Sequence, residues 1–267
     1  MIKPKNVTIV FCFFALIQSL CAQSGFSHEL GLVAGFVEMR SDFGESENSS
    51  NNFTNSGFGI GLVHYMNFTL NADCNCYTAD NYFNDHFKLR SEISYNRTHL
   101  EHHGKWVDPS LTSPEADQLR THTGLAKNYN IGTQLEYYPL SIRDFQAYAY
   151  RFTPFVNLGI QYTYHTPEVK TTYNNPDPNA IGDVTDPSNF YSGWAPGSVD
   201  ASPGSSWAVV SNVGVRYKLS RVSDLMLDFR WQFFMDDKVD GLDHNLPSNK
   251  NNDSLIWLSL GYIFYLN

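Results

Sequence analysis

Few residues in this chain have the types and spacing to do chemistry. In "NADCNCYTADNYFNDHF" two cysteines, Cys74 and Cys76, stand two apart in an Asn- and Asp-rich stretch, with Asp73, Asp80 and His86 nearby. Such a pair can close on itself as a disulfide if the turn brings its α-carbons to about 4.4–6.8 Å. It can also exchange with another thiol, or give a metal two thiolates that still need further ligands. A thioredoxin-type site needs two intervening residues and is excluded. A second group, "HLEHHGKW" and then "RTHTG", gathers His99, Glu101, His102, His103 and His122. Their spacing matches no standard metal site, and a solvated loop is expected. A lipid hydrolase would need a Ser and a His at one membrane rim, but His64, Ser211 and Ser259 are scattered along the chain.

Which of these chemistries applies depends on compartment. Lys3 and Lys5 precede an apolar run from Val7 to Leu20, and "SLCAQS" offers a cleavage point after Ala22. That is the pattern of a secretory signal peptide over residues 1–22. The run falls short of the roughly 20 apolar residues of a spanning helix. Leu20 ahead of Cys21 argues against lipid attachment. Cys12 and Cys21 would leave with the signal, so Cys74 and Cys76 are the only cysteines expected in the domain 23–267. In an oxidising compartment a disulfide is then the default. So small a ring would hold a local loop shape and add little to global stability.

Net charge is -9 with no basic run, which disfavours nucleic acid as a partner. Aromatic residues are 15% and charged residues only 17% of the chain, an unusual pairing for a soluble protein. No later stretch is apolar enough for a spanning helix, so any membrane passage must use strands.

Period-two alternation is present almost throughout. Leu30, Leu32, Ala34 and Phe36 oppose Glu29, Gly31 and Gly35; Phe58, Ile60 and Leu62 oppose Gly57, Gly59 and Gly61. In "HFKLRSEISYN" Phe87, Leu89 and Ile93 oppose Lys88, Arg90 and Glu92. Similar segments begin near Tyr129, Phe152, Trp207 and Leu225, and a last one covers 254–266. No stretch offers a convincing amphipathic helix. The pattern predicts an all-β, antiparallel, up-and-down transmembrane barrel of about eight strands.

Three features favour the membrane over a soluble barrel. The first, third, fifth and seventh gaps between strands are long, whereas the turn "SRVS" on the opposite side is tight. Tyr95, Tyr137, Tyr162, Tyr164, Trp207, Tyr217, Trp231 and Tyr262 lie near strand ends, as an interfacial belt requires. The polar face carries both signs of charge, with Lys88, Arg90, Arg151, Arg216, Lys218 and Arg230 against Glu29, Glu92, Glu136 and Asp228. Inside a small barrel these can pair across the lumen, so an open pore is not expected. The terminal "SLGYIFYLN" is similar to the strand signal that outer-membrane insertion machinery reads, although it ends on Asn267 instead of an aromatic residue.

A filled barrel is an anchor, and function moves to its ends. The second gap, on the periplasmic side, is unusually long. It makes Asp73, Tyr77, Asp80, Tyr82 and Asp85 candidates for a docking turn around the cysteine pair. The outer loops, including "SDFGESENSSNNFTNSG" and residues 165–205, are acidic and amide-rich; Asp177, Asp183 and Asp186 do not have EF-hand spacing. Tyr191 and Trp194 could serve a surface-binding role.

"HELGLVAGF" after "AQ", an acidic loop, a Gly-alternating second strand and "YFNDHFKLRSEISY" resemble small outer-membrane barrels of the Bacteroidota, PorG-type proteins associated with type IX secretion among them. The resemblance implies a periplasmic partner assembly; the cysteine turn has no assigned counterpart in it. The expectation is therefore a non-enzymatic barrel of the bacterial outer membrane, with neither cofactor nor metal, in contact with outer-membrane lipid and a periplasmic protein partner. A surface-binding barrel and an outer-membrane lipid-modifying enzyme are the alternatives.

Overall fold

A computed structural model of the chain describes residues 26–43, 52–68, 82–174, 186–244, 246 and 251–266. The expected signal segment, the cysteine pair and Asp73, Tyr77 and Asp80 lie outside the described residues.

The strands are β1 (Ser27–Arg40), β2 (Ser56–Asn67), β3 (Phe87–Glu101), β4 (His122–Tyr137), β5 (Phe152–His165), β6 (Glu168–Thr171), β7 (Gly204–Ser220), β8 (Ser223–Phe234) and β9 (Ser254–Tyr265). Each pairs antiparallel with its neighbour, and β9 pairs back onto β1, with Leu32 opposite Tyr262. Eight strands thus close a ring, leaving no free edge among the described wall strands. The exception is β6, which pairs with His122–Leu125 where β4 outruns β5 and extends the wall beyond the ring.

The wall is inside-out relative to a soluble protein. Leu32, Phe36, Leu62, Ile93, Ile131, Leu158, Leu227 and Leu260 are exposed on its outer face. Lys88, Arg90, Glu136, Arg216 and Asp228 are buried within. In water this arrangement would expose most of the apolar surface and bury the charges; in a bilayer it reverses both costs. The protein is an eight-stranded transmembrane β-barrel of the bacterial outer membrane. Some inward positions are apolar: Val33, Val63 and Ile263 fill the lumen beside glycines that leave them room, and a Cβ on Gly31 would fall 2.3 Å from Ile263.

One end carries the tight β7–β8 turn and both ends of the described chain; the other carries the long loops 41–55, 102–121, 166–203 and 235–253. By that asymmetry the long-loop end is extracellular. Among the described residues three short α-helices interrupt the connections, where the hydrophobic pattern predicted none: α1 (Tyr82–His86), α2 (Pro114–Thr121) and α3 (Ile142–Gln146). Local chemistry makes them. Ser113 Oγ accepts from Ala116 N at 3.3 Å and Pro114 opens α2. Ser141 Oγ accepts from Asp144 N at 3.1 Å to open α3. One or two turns of helix are too short to leave a 3.6-residue period.

Candidate functional site

The inward faces converge on an ionic ladder. Five cations, Lys88, Arg90, Arg216, Lys218 and Arg230, face five carboxylates, Glu29, Glu92, Glu136, Asp224 and Asp228, and all ten are buried. Near the periplasmic end Lys88 Nζ lies 2.5 Å from Glu29, and Arg216 reaches Glu29 at 2.6 Å, Glu136 at 3.2 Å and Asp224 at 3.7 Å. Lys218 pairs with Asp224 at 3.3 Å and donates to Tyr265 Oη at 2.7 Å. Higher up, Arg90 bridges Glu92 at 2.8 Å and Asp228 at 2.9 Å, and Arg230 holds Glu92 at 2.6 and 2.5 Å with both terminal nitrogens.

Aromatic rings complete the packing. Arg216 lies 4.1 Å over Tyr65, Lys218 3.8 Å over Tyr265, and Arg230 4.7 Å over Trp257. Trp257 in turn needs Gly59 opposite, where a Cβ would sit 2.8 Å from the indole. Above the charges an amide layer continues, with Asn130 Oδ1 accepting from Thr163 at 2.7 Å and Gln232 at 3.0 Å. Buried charges in a low-dielectric wall persist only when paired and hydrogen-bonded. The reciprocal pairing therefore fills the lumen and holds the opposed strands in one register.

Both ends are capped. At the periplasmic end Ile142 and Phe145 of α3 are buried beneath the ladder, with Phe145 5.3 Å from Lys218 Nζ. Asp85 in α1 accepts from Arg143 N at 3.0 Å, and Tyr82 and Tyr137 share a hydroxyl hydrogen bond of 2.8 Å. These contacts tie the ends of the two longer periplasmic turns into one surface.

The extracellular cap is a lid drawn from every long loop. Phe43 packs on His102 at 4.8 Å and stacks on His122 at 5.8 Å; Trp194 packs on His122 at 5.3 Å and His244 at 5.2 Å. His102 Nε2 and His122 Nδ1 are 3.4 Å apart. Val239 and Leu242 bury themselves beneath, and Leu242 bridges to Val199. Beside the rings, Asp42, Asp240 and Asp253 cluster fully buried. They accept from loop backbone: His244 N to Asp42 at 3.0 Å, Asp42 N to Asp240 at 3.0 Å, and Asp240 N to Asp253 at 3.2 Å. Burial, then mutual repulsion, pushes Asp42 up to about 9. Burial lifts Asp240 to about 7 and raises Asp253 well above the carboxylate range. Burial and then the neighbouring imidazoles hold His102 well below the ordinary histidine value.

The residues anticipated from sequence separate accordingly. Lys88, Arg90, Glu92, Glu136, Arg216, Lys218, Asp228 and Arg230 meet in the ladder. Arg151 does not: it is exposed at the periplasmic rim, 3.3 Å from the Tyr217 hydroxyl, because the strand starts only at Phe152. Asp224, Tyr65 and Tyr265 belong to the ladder and were missed; Asp224 lies on the Asp228 face but close to the turn. His102 and His122 are not in a solvated loop but in the lid, whereas His99 points outward. His64 is on the lipid side, 3.1 Å from His28, while Ser259 faces the lumen and Ser211 lies across the barrel on β7. Trp194 turns inward.

No protein-family model matches the chain, and no match to a curated protein is found. Among solved structures the chain is similar to a major outer membrane protein of Thermus thermophilus, at 13% identity and a TM-score of 0.46, covering 91% of this chain and 100% of that one. It is also similar to Neisserial surface protein A at 15% identity and 0.42, covering 90% and 97%. Against OprG of Pseudomonas aeruginosa the figures are 12%, 0.40, 90% and 97%. At these values none of the likenesses bears on function.

Proposed function

We propose that this barrel is a non-conducting, non-enzymatic anchor in the outer membrane, docking an envelope protein through its periplasmic turns. The observation that carries the reading is the charge-filled lumen: among the described residues five cations and five carboxylates pair within it, with α3 below and the loop lid above. Side chains packed and paired in this way disfavour a channel role, so work falls to the end surfaces. The periplasmic surface is the favoured one. Its two longer turns are joined through Asp85 and Tyr82, and Tyr82 and Phe83 are left exposed. The turn that carries Cys74 and Cys76 runs into α1, so a disulfide there would set the shape of the same surface. The resemblance to PorG-type barrels suggests a type IX secretion component as the partner.

Purification in mild detergent, with a tag inserted within residues 175–185, tests this. A periplasmic protein should co-purify in fixed ratio, and Tyr82→Ala with Asp85→Ala should release it while the barrel stays folded. The same preparation should show no conductance in planar bilayers. Recovery of the barrel alone, or steady single-channel current, would end the anchor reading. The surface-binding alternative loses support from the lid, because Trp194 is spent on internal packing.

A further inference from the structure

The outer wall carries an oddity above its aromatic belt. On the outward faces of β3 and β4, Tyr95 pairs with Tyr129 in register, their rings 5.0 Å apart, and Tyr164 of β5 continues the row at 6.3 Å from Tyr129. Tyrosines so placed mark the level where acyl chains give way to headgroups. One step further toward the extracellular end, on the same face, the next register pair is Arg97 opposite Lys127. Like charges directly opposed on one face of a sheet repel, and strands normally avoid the arrangement.

Their surroundings only partly relieve it. Lys127 is bonded to Glu168 of β6, but Glu168 also takes Lys170 at 3.4 Å, so this triad keeps a net positive charge. Arg97 Nε is buried with no hydrogen-bond partner among the described residues. Above the pair, His99 and Glu101 of β3 and Thr123 and Leu125 of β4 form the upper wall of an open groove of about 450 Å³. The strand β6 builds its far side, and among the described strands it is the one that plays no part in closing the barrel. The chain as a whole has a net charge of -9, so a local excess of cations at this depth stands against the trend.

We propose that this groove binds the phosphate of an anionic lipid in the outer leaflet. The ligand's acyl chains lie on the Tyr95–Tyr129–Tyr164 row and its phosphate is held between Arg97 and Lys127, with Lys170 behind. Phosphate is the anion that suits the site, because Arg and Lys both pair with its oxygens and the depth is that of a headgroup. The lipid supplies the charge that the opposed cations lack, so binding also stabilises the projecting ends of β3 and β4. A free phosphate would satisfy the cations but not use the tyrosine row.

The test is native mass spectrometry of the full barrel in detergent, titrated with bisphosphorylated lipid A, with dephosphorylated lipid A, and with inorganic phosphate. The wild type should retain the bisphosphorylated lipid at least ten-fold more tightly than the dephosphorylated one. Arg97→Gln with Lys127→Gln should abolish that preference, and Lys170→Gln should reduce it two- to three-fold. Lys238→Gln, which removes an exposed cation elsewhere, should leave it unchanged. Heat-modifiable gel mobility reports whether each variant is folded, and both substituted side chains project from the wall and not into the lumen. Equal retention of the two lipids by the wild type, or an unaltered preference in the double variant, overturns the proposal. Displacement of the lipid by sub-millimolar inorganic phosphate overturns it too, because the site would then belong to a soluble anion.

Discussion

Between Glu29 and Arg230 the lumen is closed by charge; from Phe43 outward it is closed by rings and carboxyl groups. The first closure comes from strands. Its ten charged side chains are five of each sign, each touches a partner of opposite sign, and the backbone that presents them is fixed by ladder hydrogen bonds. The second comes from loops. Its three central carboxyls have the same sign and are packed together, and its imidazoles are neutral. A structure built from opposite charges on rigid elements is fixed whatever the pH near neutrality. One built from like charges on loops is more stable while protons are held, so the difference is between a core indifferent to pH and a cover sensitive to it.

The largest expected effect breaks the core half. Glu92 is the carboxylate that Arg90 and Arg230 share, and Gln161 Nε2 reaches it at 3.5 Å. Glu92→Ala leaves two guanidiniums buried and short of a counter-charge, and should cost about 3–5 kcal/mol, the usual penalty for halving a buried pair. Urea unfolding in detergent, followed by gel mobility, measures it. Glu92→Gln should fall between, since it keeps an acceptor but not the charge. A variant as stable as wild type would mean that the ladder is solvated and does not hold the wall.

The lid half answers to pH. Asp42, Asp240 and Asp253 all prefer the proton in the closed lid, so their folded pKa values lie above those of the open one. Their stabilisation is complete below the ordinary carboxylate range and is lost as pH rises through about 7 and then about 9. His102 and His244 run the other way, since burial depresses both, and the lid loses their contribution only as pH falls below the ordinary histidine range. About one pH unit above the ordinary histidine value of about 6.5 the imidazoles are neutral in either state, and the carboxyls alone decide. The slope is about 1.4 kcal/mol per pH unit for each carboxyl still protonated in the closed lid. Cleavage within residues 236–246, by a protease whose own activity is flat from about pH 7.5 to about pH 9, should therefore accelerate across that range. Asp253→Asn should flatten the curve. It removes one charge, keeps the acceptor for Asp240 N, and replaces Asp253 Oδ1, which has no partner among the described residues. The ladder's urea midpoint should not follow the same curve.

The two halves were not equally legible in the sequence. The wall was, because a strand with lipid on one side and charge on the other writes its orientation into every second residue. Lys88, Arg90 and Glu92 could be assigned to the lumen from parity alone. The lid could not. Phe43, His102, Trp194 and Asp240 come from four loops, and a loop has no period from which to infer direction. The histidine spacing that matched no metal site instead serves a stack completed by residues some 60 to 140 positions away, a contact that exists only once the barrel is closed.

Parity also misleads where a strand stops, and Arg151 shows how. It has the same odd number as Thr153, Phe155 and Asn157, which face inward, so alternation assigns it to the lumen beside Arg216. Three residues earlier the chain bends at Tyr148, whose φ is 66°, and the strand does not start until Phe152. Parity does not propagate through a turn, and Arg151 emerges on the surface. The two arginines should therefore respond to the same substitution very differently. Arg216→Ala takes from Glu136 its nearest cation and from Glu29 and Asp224 one of two, Lys88 and Lys218 remaining, and should lower the unfolding midpoint clearly, though by less than Glu92→Ala does. Arg151→Ala removes one long hydrogen bond to a tyrosine in contact with water, and the unfolding midpoint should stay within the scatter of the wild type. If Arg151→Ala destabilised the barrel as Arg216→Ala should, the ladder would have to extend to the periplasmic rim, and α3 would be part of the charged core, no longer its cap.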